Sequence, residues 1–134
     1  MKSQPVLILL LFGFTFWFAG TLFYRVRGQS VFESTSLRYW INFAVTPLLS
    51  AGVCFMVIRL LRVPAQHWAS AALLIALPGM AGEVLLLTQF QTFLPRLHAE
   101  SAGRVAALLF ACYALVLAIA EFVTLRVASP SANP

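Results

Sequence analysis

Four hydrophobic stretches, each long enough to cross a bilayer, dominate this chain of 134 residues. Hydrocarbon offers no water to satisfy backbone N–H and C=O groups, so a spanning segment must satisfy its own and becomes a helix. Residues about 6–24, 40–58, 68–90 and 105–123 predict four such spans. At helical rise each reaches roughly 28 Å or more, against a hydrocarbon core of about 30 Å. The expected fold class is all-α, an integral membrane bundle of four transmembrane helices with both chain ends on one side. It comprises a single four-helix transmembrane domain over 1–128, followed by a disordered C-terminal tail over 129–134.

Composition agrees. Hydrophobic residues make up 61% and charged residues 10% of the chain, where a soluble domain carries about a quarter charged residues. The net charge of +5 does not point to nucleic acid, because the basic residues stand in ones and twos at the ends of apolar runs and form no patch. The expected partner is the lipid bilayer; a homo-oligomer and a larger membrane complex stay open.

The span ends carry further signals. A cleaved signal peptide competes for the first span, but that run is longer than the usual core of about 7–15 residues, and Trp17, Phe18 and Phe23 crowd the place of small cleavage-site residues. Ser34, Thr35 and Ser36 are candidate caps for the second helix. The first loop, Arg25 to Tyr39, mixes Val31, Phe32 and Leu37 with Arg27, Gln29, Glu33 and Arg38, and suits a segment lying on the headgroups. Trp40, Trp68, Tyr24 and Tyr39 fall at span ends as an aromatic belt. Orientation is nearly balanced: Lys2, Arg59, Arg62 and Arg126 oppose Arg25, Arg27, Arg38, Arg96 and Arg104, four against five, where the positive-inside rule needs a clear excess.

Within the spans the polar residues are few. Glu83 lies roughly 10 Å below the nearer surface by helical rise, and an unneutralised carboxylate there costs several kcal/mol unless something receives it. Counting the same depth into the other spans brings Trp17 and Thr21, Asn42 and Thr46, and Cys112 and Tyr113 to its level, a candidate intramembrane polar site. Pro78 removes a helical hydrogen bond and Gly79 loosens the same turn, so the pair marks a kink, and Gly79 shares a face with Glu83. Two roles compete for Glu83. As structural glue it accepts hydrogen bonds from Asn42, Thr46 or Tyr113; as a functional acid it binds a substrate or exchanges a proton.

Ala107, Ala111, Ala114 and Ala118 place small side chains on one face of the fourth span, which permits close helix approach in lipid. The stripe runs on to Glu121, expected at the interface as an ion pair with Arg59 or Arg62, or with Arg126. His67 and His98 fall at opposite surfaces and cannot share a metal. Cys54 and Cys112 read as buried apolar thiols, separated by roughly 10 Å in depth. No phosphate loop, nucleophile elbow or zinc-protease signature occurs, so no catalytic residue, metal or cofactor is expected.

Three segments, Gly20-Thr21-Leu22-Phe23-Tyr24-Arg25-Val26-Arg27-Gly28-Gln29, Leu77-Pro78-Gly79-Met80 followed by Glu83, and Phe93-Leu94-Pro95, resemble a bacterial family of small four-helix membrane proteins known only as a domain of unknown function. The resemblance covers most of the chain before the tail. It implies a fold but no activity; in that family an aspartate is more often expected at the position of Glu83. The small multidrug resistance transporters are similar in architecture alone, since their membrane-embedded glutamate lies in the first helix and the first span here has no acid. The expected protein is therefore a non-enzymatic, multi-pass protein of the bacterial inner membrane with an acidic site at Glu83. A small proton-coupled transporter and an accessory subunit of a larger membrane complex are the alternatives.

Overall fold

The computed structural model describes residues 3–129. Lys2 and residues 130–134 of the expected tail lie outside the described residues. Helices α1 (Ser3–Phe32), α2 (Ser36–Leu60), α3 (Trp68–Thr88) and α5 (Ala102–Ala128) form the bundle. A short helix α4 (Phe90–Phe93) and 3-10 turns at Ala65–His67 and Ala99–Ser101 connect them. Each of the four long helices, the third counted with its preceding turn and the fourth with its own, is long and apolar enough to cross a membrane. The chain is an integral membrane bundle of four transmembrane helices.

Helix α1 extends beyond the expected first span. The charged segment Arg25–Phe32 is not a loop on the headgroups but the last two turns of the same helix. The reason is packing: Gly28 and Phe32, four apart on one helical face, are both buried, and Gly28 lies against Leu97. Only Glu33, Ser34 and Thr35 remain to connect α1 to α2. Thr35 is the N-cap of α2, its hydroxyl accepting from the Arg38 N–H at 3.2 Å, one of the donors that every helix start leaves without an intrahelical partner. At the other end of α2, Arg62 takes a positive φ of 54°. Its N–H reaches the Arg59 carbonyl at 2.9 Å and the Val63 N–H reaches that of Ile58 at 3.2 Å. That is a Schellman closure with arginine where glycine is usual.

In lipid there is little hydrophobic drive for helices to associate, so close contact between small residues matters. At Gly13 an added Cβ would strike the backbone oxygen of Ile75, which makes this the tightest glycine contact between α1 and α3. Around the bundle α1 packs on α3, α3 on α5 and α5 on α2, while α1 and α2 meet more sparsely despite being chain neighbours. Two apolar clusters fill the interior. One gathers Leu9, Ile58, Ala71, Ala72, Val116 and Ala120, and the other Phe32, Leu94, Leu97, Val105 and Leu108 near the Glu33 end.

The alanine stripe of α5 is on the outside. Ala107, Ala114 and Ala118 are exposed and Ala111 is half-buried, because the face of α5 that meets the bundle carries Val105, Leu108, Val116 and Ala120.

Candidate functional site

Helix α3 runs unbroken through Pro78 and Gly79. Gly79 and Gly82, both buried, share its inward side with Glu83. A Cβ at Gly79 would meet the Tyr113 hydroxyl of α5, and one at Gly82 would meet the Trp17 indole of α1. The two glycines thus let a phenol and an indole reach the backbone of α3 beside the acid, the close approach for which glycine is suited.

Glu83 itself is 8% exposed. Trp17 and Tyr113 are the polar side chains beside its carboxyl, and Glu83 Oε2 and Trp17 Nε1 are both fully covered without a hydrogen-bond partner. Native interiors leave few such atoms, and an orphaned buried acceptor costs about 1–3 kcal/mol, more when charged.

A cavity of about 410 Å³ lies beside this acid, within the size range of small-molecule sites. Of the expected polar layer, Trp17, Thr21, Asn42, Thr46, Cys112 and Tyr113 all line it together with Glu83. The residues counted to one depth thus share one cavity, but they do not make the expected contacts. Asn42 and Thr46 do not hold Glu83. They bond to Tyr24: Asn42 Nδ2 donates to the Tyr24 hydroxyl at 3.2 Å, that hydroxyl and Thr46 Oγ1 lie 3.3 Å apart, and Thr46 Oγ1 donates to Asn42 Oδ1 at 3.0 Å. This network pins α1 to α2 at one end of the cavity. Its signal in the sequence was Tyr24, which reads as an aromatic-belt residue but bonds toward α2. Cys54 and Cys112 also line the cavity as free thiols.

The interfacial ion pair expected for Glu121 does not form. Glu121 is exposed, and among the described residues the one ion pair is between His98 and Glu33. Arg59 lies instead over the Trp68 ring at 5.8 Å, and Arg126 over that of Phe122 at 5.4 Å. Weakly hydrated guanidinium groups stack on aromatic faces readily, and an exposed ion pair is worth little.

Sequence reading missed a polar clasp at the Glu33 end. The Glu33 carboxylate accepts from the His98 backbone N–H at 3.0 Å, from His98 Nδ1 at 2.8 Å and from the Ser101 hydroxyl at 3.0 Å. Arg104 Nη1 donates to the Phe32 carbonyl at 3.0 Å, and its guanidinium lies 5.3 Å from the Tyr39 ring. Desolvation pushes the Glu33 carboxyl up, but the bonds from the His98 N–H, the His98 ring and Ser101 outweigh it and hold the group below its ordinary 4.5. The hydrogen bond to Glu33, and then its charge, raise His98 above its ordinary 6.5. This clasp joins the end of α1 to the turn before α5, and it closes the bundle on that side.

No curated protein and no solved structure matches the chain. A family model matches residues 31–126, which takes in the Leu77–Met80 segment with Glu83 and the Phe93–Pro95 segment but leaves Gly20–Gln29 outside. With α2, α3 and most of α5 inside the matched residues, and the cavity-facing acid among them, the chain belongs to the family of unknown function DUF5367.

Proposed function

We propose that this is a non-enzymatic protein of the bacterial inner membrane that works as a small proton-coupled transporter, with Glu83 as the group that exchanges a proton inside the bilayer. One observation carries the reading: a buried carboxyl oxygen without a hydrogen-bond partner, beside a cavity that all four spans line. An acid whose task is to hold helices together would draw on Tyr113, which stands beside it, or on the amide and hydroxyl of Asn42 and Thr46. Those two groups are taken up by Tyr24, which favours the functional acid over the structural one. The bacterial inner membrane is supported by the family resemblance together with the four apolar spans.

Trp17 supplies the test, because its indole stands beside the carboxyl. In a protein whose other tryptophans, Trp40 and Trp68, are replaced by Phe, Trp17 emission should change reversibly with pH, and Glu83→Gln should abolish the change without altering helix content. Emission that is flat with pH in the Glu83 protein, or equally pH-dependent with Gln, would overturn the proposal.

A second reading has its own observation. The exposed Ala107, Ala114 and Ala118 face of α5 favours close packing against another membrane helix, from a second copy or a larger complex.

A further inference from the structure

We propose that the cavity accepts a lipophilic monovalent cation, an alkyl- or arylammonium, which enters sideways from the bilayer through the seam between α1 and α2 and sets its positive head against Glu83. The proposal rests on the reading of Glu83 as a working acid.

The charge follows from the wall. Among the described residues Glu83 is the one acidic side chain lining the cavity, and no arginine, lysine or histidine lines it. The other titratable groups facing the space are Tyr24 of α1, Cys54 of α2, and Cys112 and Tyr113 of α5. An anion would meet like charge with no counter-charge, and a strongly polar neutral molecule would leave most of its groups unpaired against an apolar wall. An ammonium head supplies the missing partner of the carboxylate, and its apolar body replaces lipid contacts at little cost. Trp17 and Tyr113 flank the carboxyl with aromatic rings, and a desolvated cation is attracted to an aromatic face.

The route follows from exposure. The cavity-lining residues that are exposed, Phe16, Phe23, Val45 and Leu49, all belong to α1 and α2, the sparsely packed pair. The lining residues of α3 and α5 are buried or half-buried. The rest of the wall is continuous with the two apolar clusters: Leu86, Leu94 and Val105 belong to the one with Phe32 and Leu97, and Cys54, Ala72, Ile75 and Val116 to the one with Leu9 and Ile58. The seam faces lipid, so the ligand must partition into the bilayer first. As the ammonium arrives, a protonated Glu83 gives its proton to solvent and the carboxylate pairs with the cation. One positive charge replaces another.

The experiment uses the full chain in nanodiscs of zwitterionic lipid, titrated with phenethyltrimethylammonium and with its uncharged carbon isostere, (3,3-dimethylbutyl)benzene. The cation should bind saturably, release protons, and weaken as pH falls; the isostere should bind about tenfold more weakly or worse, the ratio that roughly 1.4 kcal/mol of charge recognition gives. Glu83→Gln should lose the same factor, and Glu83→Asp should keep binding, so a folding defect in the first variant does not blur the result. Gly20 lines the seam, and a Cβ there meets nothing within 4 Å; Gly20→Trp should therefore slow cation entry while leaving unfolding unchanged. Equal binding of cation and isostere, or full affinity with Gln, overturns the cation assignment but not the pocket. An unchanged entry rate in Gly20→Trp overturns the seam. If neither probe binds while Trp17 emission still follows pH, the ligand class is wrong and the working acid stands; if both fail, both proposals fall.

Discussion

One methyl group at Gly13 should measurably weaken this bundle, although alanine is the better helix former. A Cβ there would strike the Ile75 carbonyl oxygen and stand 2.8 Å from its carbonyl carbon and 3.0 Å from its Cα. Carbon atoms in contact prefer about 3.5–4.0 Å, and the obstacle is backbone, which no rotamer change can clear. Helices α1 and α3 must therefore separate by on the order of 1 Å, and overpacking of this kind costs about 1–3 kcal/mol. Gly20→Ala is the matched control: same helix, same gain in helix propensity of up to about 1 kcal/mol, and nothing for the methyl to meet. The stability difference between the two alanine variants isolates the steric cost and should be about 1–3 kcal/mol in favour of Gly20→Ala. Reversible unfolding in mixed micelles at increasing sodium dodecyl sulfate, followed by far-ultraviolet circular dichroism, reads it. Because Trp17 is one turn from Gly13 on the same face, Gly13→Ala should also loosen Trp17 from Gly82 and shift its emission. If Gly13→Ala unfolds at the same detergent fraction as Gly20→Ala, the close approach of α1 to α3 is wrong.

Three further outcomes are expected. Arg62→Gly should stabilise the protein by about 1 kcal/mol in the same assay, since glycine occupies the left-handed position that closes α2 without the Cβ penalty; a loss would mean that the arginine side chain outweighs its backbone strain. The Glu33–His98 clasp should be tightest between about pH 4.5 and 6.5, the ordinary values of the two groups. Glu33 has a lowered native value, so its contribution is lost as pH falls through that value; His98 has a raised one, so its contribution is lost as pH rises through that value. Hydrogen exchange at the His98 amide should be slowest inside this window, and Glu33→Gln should remove the pH dependence beyond that of intrinsic exchange. Ala114→Leu should leave the single bundle intact, because Ala114 is exposed, yet reduce any association through that face; a destabilised monomer in dilute detergent would show that α5 is turned the other way.

The spans were legible because a bilayer imposes one requirement, a long apolar helix, and sequence length answers it. Their ends were less so. Arg25, Arg27 and Gln29 end a hydropathic run without ending a helix, and α1 continues because Gly28 and Phe32 keep a buried stripe in phase. Counting residues placed Trp17, Thr21, Asn42, Thr46 and Tyr113 at the level of Glu83, and all of them line one cavity with it, as does Cys54, counted to a different depth. What counting along a helix does not provide is azimuth. Asn42 and Thr46 turn toward Tyr24, the alanine face of α5 turns outward, and Glu121 forms no ion pair with Arg59 or Arg62. Each depends on how a helix is rotated against its neighbours, and the mild amphipathicity of membrane helices encodes this only weakly. The Glu33 clasp joins residues 65 and 68 positions apart, a pairing set by the meeting of two loops and by no local pattern.

The central claim is that Glu83 is an ionisable group at work inside the membrane, and infrared difference spectroscopy on reconstituted protein tests it most directly. Stepping the pH should give a reversible carboxylic-acid carbonyl band paired with an opposite carboxylate band. The pair should resist rapid deuterium exchange as a buried group does, shift on addition of phenethyltrimethylammonium, and vanish in Glu83→Gln. A spectrum without a titrating carbonyl band, or one whose titrating band persists unchanged in Glu83→Gln, would contradict the account and leave Glu83 as a fixed part of the bundle.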